Sequence, residues 1–459
     1  MLPQNEKASR RSCLILSILI FVVLPFSLIT LLLLLWYSRE SSGRSQLNAR
    51  IASLAKQGYP VDYASVDSFY KGRTNPANTD AWLTVLDTIG SQEFTASTSG
   101  VPILGTGDAP PIRREDEWKE EEVALAFLEK WKSLSADAIR LSIDANPVRY
   151  PIVFNSLNSD VDRIQATRNI GRLIQLQGSV ALRNRDSAKV RDAISALMGL
   201  SRVNAGEPMI ISHLVGMAID GMAIGFLKDA IGCDALSESD LQALLPRVLA
   251  STNIGKDWET AIAGERALAL PIFKDPSKGR SEGIIALLSN SRDALFYIDQ
   301  TQSLLEANTE ELSDFDGALK AFDTRLRSQT NASWISQWDS IMTMQTTPAI
   351  SATGGAFVRR AMMHRIAALA IGLRLYEARH SKFPSSLKEL SSLPMDIDQL
   401  APSKGYSFGY RSMGRDTKLW GSMTPDVFSI SAEPPEVVAG EPANDALTFW
   451  LWQFRAKGE

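Results

Sequence analysis

Four polar residues stand in helical, apolar stretches where their side chains could do chemistry. His213 and Asp220 interrupt the apolar segment 209–227, and Glu265 and Arg266 follow each other further along the chain. Imidazole and carboxylate groups serve as general acids and bases, and an adjacent acid and base can clamp a polar ligand. These four residues form the candidate ligand-binding site, and the sequence assigns no catalytic residue.

Each pair also has a purely structural interpretation. His213 and Asp220 are seven residues apart, so they share one helix face with their backbones about 10.5 Å apart, too far for an easy direct bond. A functional role would require a nucleophile from another helix, whereas a structural role requires only that a neighbour satisfies each buried group. The structural interpretation is favoured, and Glu265 and Arg266 read most simply as a helical ion pair with partners elsewhere.

The composition excludes several classes of function. No Gly-x-Ser-x-Gly elbow, Walker-type loop, His-Glu-x-x-His or Cys-x-x-Cys motif occurs, and the chain has three histidines and two cysteines. We therefore predict no cofactor and no metal site, and the balance favours a non-enzymatic protein. The net charge is −4 without a basic stripe, which argues against a nucleic-acid partner.

The N-terminal region predicts a membrane anchor. Residues 13–37 carry no charge and are almost continuously apolar. About 20 apolar residues span a bilayer core, and Trp36 and Tyr37 end the run where aromatic rings favour the interface. A cleaved signal peptide has a shorter apolar region followed by small residues. The sequence therefore predicts one uncleaved transmembrane helix that makes this a single-pass protein with a signal anchor.

The distribution of positive charge favours one orientation. Basic residues lie on both sides of the anchor: Lys7, Arg10 and Arg11 before it, and Arg39, Arg44 and Arg50 after it. The positive-inside bias narrowly favours a cytoplasmic N-terminus. We therefore expect the bulk of the chain on the extracytoplasmic side of a bacterial inner membrane, in the cell envelope.

Most of the remaining chain has helical periodicity. Apolar stripes at helical spacing recur through the central region, at Ala124–Phe127–Leu128, Ile170–Leu173–Ile174 and Val190–Ile194–Leu197. The predicted fold is mainly α, with stacked antiparallel helical hairpins. The predicted divisions are a cytoplasmic tail (1–12), the anchor (13–37), juxtamembrane helices and a loop (38–112), a helical domain (113–350) and a C-terminal helix with a small sheet (351–459).

A second long apolar segment occurs in the middle of the chain. Segment 209–227 is long enough to suggest a second membrane helix, but an Asp at mid-membrane costs about 2.5–3.5 kcal/mol. A buried helix is the better interpretation, with Gly216, Gly221 and Gly225 allowing close approach of its backbone.

The C-terminal region predicts a small antiparallel β-sheet after a helix at 359–380. The evidence is the alternation at Tyr406, Phe408 and Tyr410 and the apolar runs at 427–431 and 447–454.

Two resemblances accompany these patterns. The phrases at residues 181–186, 193–197, 207–215, 264–267 and 373–390 resemble a group of uncharacterised bacterial membrane-anchored helical proteins, which implies an anchor and a helical body but no activity. Residues 365–431 are similar to the region after the long helix of type II secretion pseudopilins, where a short helix leads into a small sheet. In pseudopilins that helix is itself the membrane segment, whereas here the anchor lies more than 300 residues upstream.

The leading hypothesis is an extracytoplasmic helical scaffold that binds another, unidentified protein. Stacked helices present long concave surfaces suited to such a role. The alternatives are an envelope hydrolase whose active site is assembled from distant residues, and a pseudopilin-like structural subunit.

Overall fold

The computed structural model describes residues 24–112, 114, 116–155, 161–274, 290–393, 395–400, 408–412, 417–422 and 446–450. Within these residues the protein is mainly helical, as the sequence predicts. The α-helices are α1 (Leu24–Lys56), α2 (Tyr63–Lys71), α3 (Thr79–Gly90), α4 (Gln92–Ser97), α5 (Glu121–Lys130), α6 (Lys132–Ile143), α7 (Val161–Arg183), α8 (Ser187–Leu200), α9 (Ile210–Gly232), α10 (Glu238–Ala250), α11 (Gly255–Lys274), α12 (Ser291–Leu305), α13 (Leu312–Thr330), α14 (Trp334–Trp338), α15 (Ile341–His380) and α16 (Ile397–Leu400). A 3-10 helix spans Leu387–Ser392.

Three short strands follow the helices: β1 (Gly409–Arg411), β2 (Lys418–Ser422) and β3 (Ala446–Trp450). They pair antiparallel in the order β1-β2-β3, with Gly409 opposite Trp420 and Lys418 opposite Trp450. The Tyr410 hydroxyl donates to the Pro384 carbonyl oxygen at 2.7 Å, which ties β1 to the segment after α15. The predicted strand at 427–431 and Tyr406 lie outside the described residues.

Helix α1 has two halves with different surroundings. Its first residues overlap the predicted transmembrane segment, of which residues 13–23 lie outside the described part of the chain. Between Phe26 and Tyr37 the described large apolar side chains are exposed, whereas Leu47, Ile51 and Leu54 are buried. The helix ends at Lys56, just before Gly58 adopts a φ of +86°. One continuous helix therefore joins an exposed apolar segment to the folded interior.

The buried apolar residues form two cores. The first, here the α1 core, contains Leu47, Ile51 and Leu54 together with residues of α11, α12, α13 and the first part of α15 up to Met362. The second, here the α8 core, collects α2 to α10 and the second part of α15 from Ile366 onward. Helix α15 passes from one core to the other, and α9 and α11 also contribute to both.

Helix α15 is longer than the sequence predicts. The expected helix at 359–380 starts at Ile341 and has 40 residues, about 60 Å at 1.5 Å per residue. The predicted boundary at residue 350 therefore falls inside a helix. Residues 341–358 contain threonines, two glycines and a proline, which give a weak local helix signal. Tertiary packing compensates, because a Cβ on Gly354 would lie 2.4 Å from Leu319 Cδ2 of α13.

Helix α9 lies in the interior. Among the described residues it is the one helix long and apolar enough to cross a membrane, and most of it is buried. Its buried positions occur all round the helix, as expected for one at the centre of a helical protein. This agrees with the interpretation of segment 209–227 as a buried helix.

Of the three glycines expected to allow close approach in α9, only Gly216 does so. A Cβ there would lie 2.6 Å from the Ser201 carbonyl oxygen at the end of α8, whereas a Cβ on Gly225 would meet nothing within 4 Å. We expect Gly216→Ala to lower the free energy of unfolding by about 1–3 kcal/mol through overpacking. Gly225→Ala should raise it by about 0.5–1 kcal/mol, because alanine favours the helix.

Chemical denaturation of the two alanine variants would measure this difference. Equal effects of the two substitutions would show that α8 and α9 are not in close contact at Gly216.

Candidate functional site

The polar residues of α9 and their partners form a buried row, here the α9 seam. It comprises Glu207, Ser212, His213 and Asp220 with the side chains that bind them: Arg163, Asn204, Ser201, Arg360, His364 and Asp257. Residue 220 lies in α9, residue 257 in α11 and residues 360 and 364 in α15. The seam therefore runs along the helices that connect the two cores.

Asp220 is the most heavily bonded group of the seam. Its Oδ2 accepts from Arg360 Nε at 2.5 Å and lies 2.9 Å from His364 Nε2, and its Oδ1 accepts from Ser201 Oγ at 3.2 Å. Burial alone would raise the pKa of Asp220, but the charges and hydrogen bonds of His364 and Arg360 hold it below its usual range. Asp220 is therefore an ionised carboxylate at neutral pH.

Arg360 bridges two acids. Its Nε contacts Asp220, and its NH1 donates to Asp257 Oδ2 of α11 at 2.7 Å. Burial disfavours the charged guanidinium, yet the two carboxylates together raise the pKa of Arg360. One side chain of α15 therefore links α9 and α11 through charge-assisted hydrogen bonds, the stronger class of hydrogen bond in proteins.

His364 completes the Asp220 group. It is fully buried, and because Asp220 is ionised, the assigned tautomer carries its proton on Nε2 and donates to the carboxylate. Within the described structure the opposite ring nitrogen, Nδ1, has no hydrogen-bond partner. The hydroxyl of Ser201, which also belongs to the Asp220 group, is bonded to Asp220 and not to His364. A general base needs a proton donor within hydrogen-bond reach, and the described contacts bring no such hydroxyl to Nδ1.

The other end of the seam is organised by Glu207, which is fully buried. Its carboxylate lies 2.9 Å from Arg163 NH2 and accepts from Ser212 Oγ at 2.5 Å. The guanidinium of Arg163 stacks over the Tyr150 ring, 4.2 Å from its centroid, which adds a cation–π contact. The loop between α8 and α9 is thereby held against α7.

His213 is bound at this end of the seam. Its Nε2 lies 3.0 Å from the Glu207 carbonyl oxygen, and its ring packs against Phe357 of α15. Burial lowers the pKa of His213, so the ring is neutral and Nε2 donates to the carbonyl. His213 and Asp220 thus share one helix face but have separate partners.

Glu265 belongs to α11, is partly buried and lies beside the first residue of α9. Its Oε2 accepts from the Ile210 backbone N–H at 3.2 Å. Burial raises the pKa of Glu265 to about 7, and the hydrogen bond from Ile210 offsets only part of that effect. The group therefore titrates near neutrality.

Arg266 points away from the seam. It is fully buried, its NH1 donates to Gln302 Oε1 at 2.7 Å, and its guanidinium carbon lies 5.1 Å from the centroid of the Tyr59 ring. Burial lowers the pKa of Arg266 to about 10. Among the described residues no ion pair joins Glu265 to Arg266, so the two consecutive residues serve different contacts.

A surface cleft is lined by a different set of residues. It has a volume of about 160 Å³ and is lined by residues of α6, α8 and α10 and their ends, including Asp144, Arg202 and Arg247. Arg247 donates to the Ile143 carbonyl oxygen and to Asp144. None of the four residues predicted as a ligand site lines this cleft.

The sequence did not single out Arg163, Glu207, Asp257, Arg360 or His364. A signal was present for two of them, because Arg360 and His364 are four residues apart and therefore share one face of the helix predicted at 359–380. No group of three or more potential metal ligands occurs in the part of the chain that the structure describes. No protein-family model, curated protein or solved structure matches the chain.

Proposed function

We propose that this protein is a membrane-anchored, extracytoplasmic helical scaffold that binds another protein. Its anchor is residues 13–37, its body is a set of stacked antiparallel helical hairpins with a small C-terminal sheet, and it resides in the inner membrane of a bacterial envelope. The observation that carries the proposal is the two-part helix α1, which exposes an apolar segment at one end and enters the core at the other.

The exposed half of α1 supports membrane anchoring. Phe26, Leu28, Leu31, Leu34 and Leu35 are each more than half exposed. Soluble proteins rarely expose a contiguous apolar surface of this kind, whereas a bilayer core satisfies it. Because helix α1 does not end before Lys56, the membrane segment and the folded body would move as one rigid unit.

The bonding of the buried polar groups supports a binding role for the protein surface. The polar groups of the α9 seam are bonded to one another and stabilise contacts among α7, α9, α11 and α15. Their chemistry is used for packing, so a partner protein would be recognised by the outer helix faces. The use of these polar groups in packing favours a scaffold over a hydrolase.

Protease access to a C-terminal epitope tag tests the topology in a Gram-negative host. We expect the tag to be cleaved once the outer membrane is opened, while the inner membrane is still intact. A matched variant, Lys7→Gln with Arg10→Gln and Arg11→Gln, removes the positive charges before the anchor and should reduce the cleaved fraction. A tag that survives until the inner membrane is lysed would place the body in the cytoplasm and overturn the proposal.

Proximity labelling from the same tag then tests the scaffold role. We expect a reproducible set of envelope proteins that is lost when the body is released from the membrane. Labelling of lipid-facing neighbours alone, with no protein enriched, would contradict a binding role.

A further inference from the structure

The point where α1 enters the folded body is defined by polar contacts. Arg39 forms an ion pair with Asp339, which directly follows α14. Glu40 accepts hydrogen bonds from Ser291 Oγ at 2.6 Å and from the Ser291 backbone N–H at 3.4 Å. These contacts place α14 and the start of α12 beside residues 39–40 of α1, within one helical turn of Tyr37.

Helix α14 is held in place at this level. The Asn290 side chain donates to the Trp338 carbonyl oxygen at 3.2 Å. On the other side, Gln337 donates to the carbonyl oxygens of Thr330 and Ala332, which connect α14 to the end of α13. The short helix is therefore fixed between α12 and α13, and its position is set by the folded body.

The composition of α14 suits a bilayer interface. Its five residues are Trp-Ile-Ser-Gln-Trp, and the Trp338 side chain is 44% exposed. Tryptophan combines a large apolar ring with one N–H donor, so it is enriched at the level of lipid headgroups. A partly exposed tryptophan ring is therefore stabilised where the acyl chains meet the headgroups.

Two exposed arginines lie on the helices that flank α14. Arg292 is exposed at the start of α12, and its Cγ lies 3.6 Å from the Cβ position of Gly43 in α1. Arg327 is exposed one turn before the end of α13. Of the acids at the entry of α1, Asp339 pairs with Arg39, and Glu40 with Arg44 and Ser291. The exposed charges of Arg292 and Arg327 suit anionic headgroups.

We propose that α14 is a second membrane contact, in which Trp338 inserts at the headgroup level of the bilayer that α1 crosses. Arg292 and Arg327, on the two helices to which α14 is bonded, would supply positive charge for the lipid phosphates. This inference rests on the proposed anchoring of α1 and adds a fixed docking angle to it. With two points of contact, the body would be held against the membrane and prevented from swinging on a single helix.

Spin-label depth measurements on the full-length chain in vesicles test this contact. The vesicles contain phosphatidylcholine and phosphatidylglycerol, and the background carries Cys13→Ser and Cys233→Ser. A label on Ser336→Cys reports on α14, one on Tyr37→Cys reports on the anchor, and one on Lys56→Cys reports on water. Lys56 is exposed and lies about 28 Å further along the same helix than Tyr37.

We expect the α14 label to have an oxygen-to-nickel-chelate accessibility ratio several-fold above that of the Lys56 label. Trp338→Ser should return this ratio to the water value, while Trp338→Tyr should preserve most of it, because tyrosine is also an interfacial residue. The anchor label should be in the bilayer in all of these variants.

Three results would contradict the proposed membrane contact of α14. An α14 label with water-like accessibility, beside an anchor label in the bilayer, would overturn the second contact and leave the anchor intact. Water-like accessibility of both labels would overturn the anchoring itself. Shielding of the α14 label from both reagents would show that α14 contacts a second copy of the chain instead of lipid.

Discussion

Asp220→Ala is expected to lower the free energy of unfolding by about 3–5 kcal/mol, because removing one partner of a buried ion pair leaves the other charge uncompensated. Asp220 is 1% exposed and accepts hydrogen bonds from Arg360, His364 and Ser201. Without it, Arg360 retains only Asp257, and His364 Nε2 loses its partner. Chemical denaturation of the detergent-solubilised protein, followed by tryptophan fluorescence, measures the effect.

An exposed acid provides the matched control. Asp87 on α3 is exposed, and Asp87→Ala should change the stability by less than about 0.5 kcal/mol. A double-mutant cycle with Arg360→Ala should be non-additive, the double variant losing at least about 1 kcal/mol less than the sum of the single variants. Equal stability of the Asp220 and Asp87 variants would show that the seam does not hold the helices together.

The position of Asp220 gives this interaction a second consequence. On α15, Met362 packs into the α1 core and Ile366 into the α8 core. Arg360 and His364 lie on either side of Met362, so the ion pairs form where the two cores meet. The α1 core contains the helix that bears the apolar segment. The seam therefore couples the stability of the α1 core to that of the α8 core.

Local helix signals predicted much of this fold. Ile170, Leu173 and Ile174 repeat at helical spacing and are fully buried in α7. Ser237 and Asp240 form a capping box at the start of α10. Such patterns depend on residues within one or two turns, which is why they can be read from the chain directly.

The partners in the candidate site could not be predicted in the same way. The sequence placed His213 and Asp220 on one helix face, but Asp220 binds residues 140 and 144 positions away. No periodic pattern encodes a contact across that separation, because it depends on how the helices pack. The start of α15 was missed for a related reason, since packing of Gly354 against Leu319 outweighs a weak local helix preference.

The contribution of Glu265 to stability is expected to fall as the pH rises from about 4.5 to about 7. Burial raises the pKa of Glu265 from 4.5 to about 7 in the folded protein. The folded state therefore binds this proton more tightly than the unfolded chain. The associated stability is fully present below pH 4.5 and is lost as the pH passes through about 7, by up to about 3 kcal/mol. Partial exposure of the side chain makes this value an upper bound.

Glu265→Gln isolates the contribution of this one group. The variant keeps the shape and the acceptor for Ile210 N–H but carries no charge at any pH. It should match the wild type near pH 5 and exceed its stability by about 1–3 kcal/mol at pH 8. Tyr297, whose pKa is raised by burial and by the charge of Glu265, stays protonated over this range and does not contribute.

Two features make the comparison specific. His213 has a lowered pKa and also titrates below neutrality, but it is present in both proteins and cancels in the difference. Glu310→Gln removes an exposed carboxylate and should retain the pH dependence of the wild type. Parallel stability curves for the wild type and Glu265→Gln between pH 5 and 8 would mean that Glu265 is solvated in the folded state. Divergence confined to the Glu265 variant would show that a carboxyl group beside the first turn of α9 links folding to proton uptake.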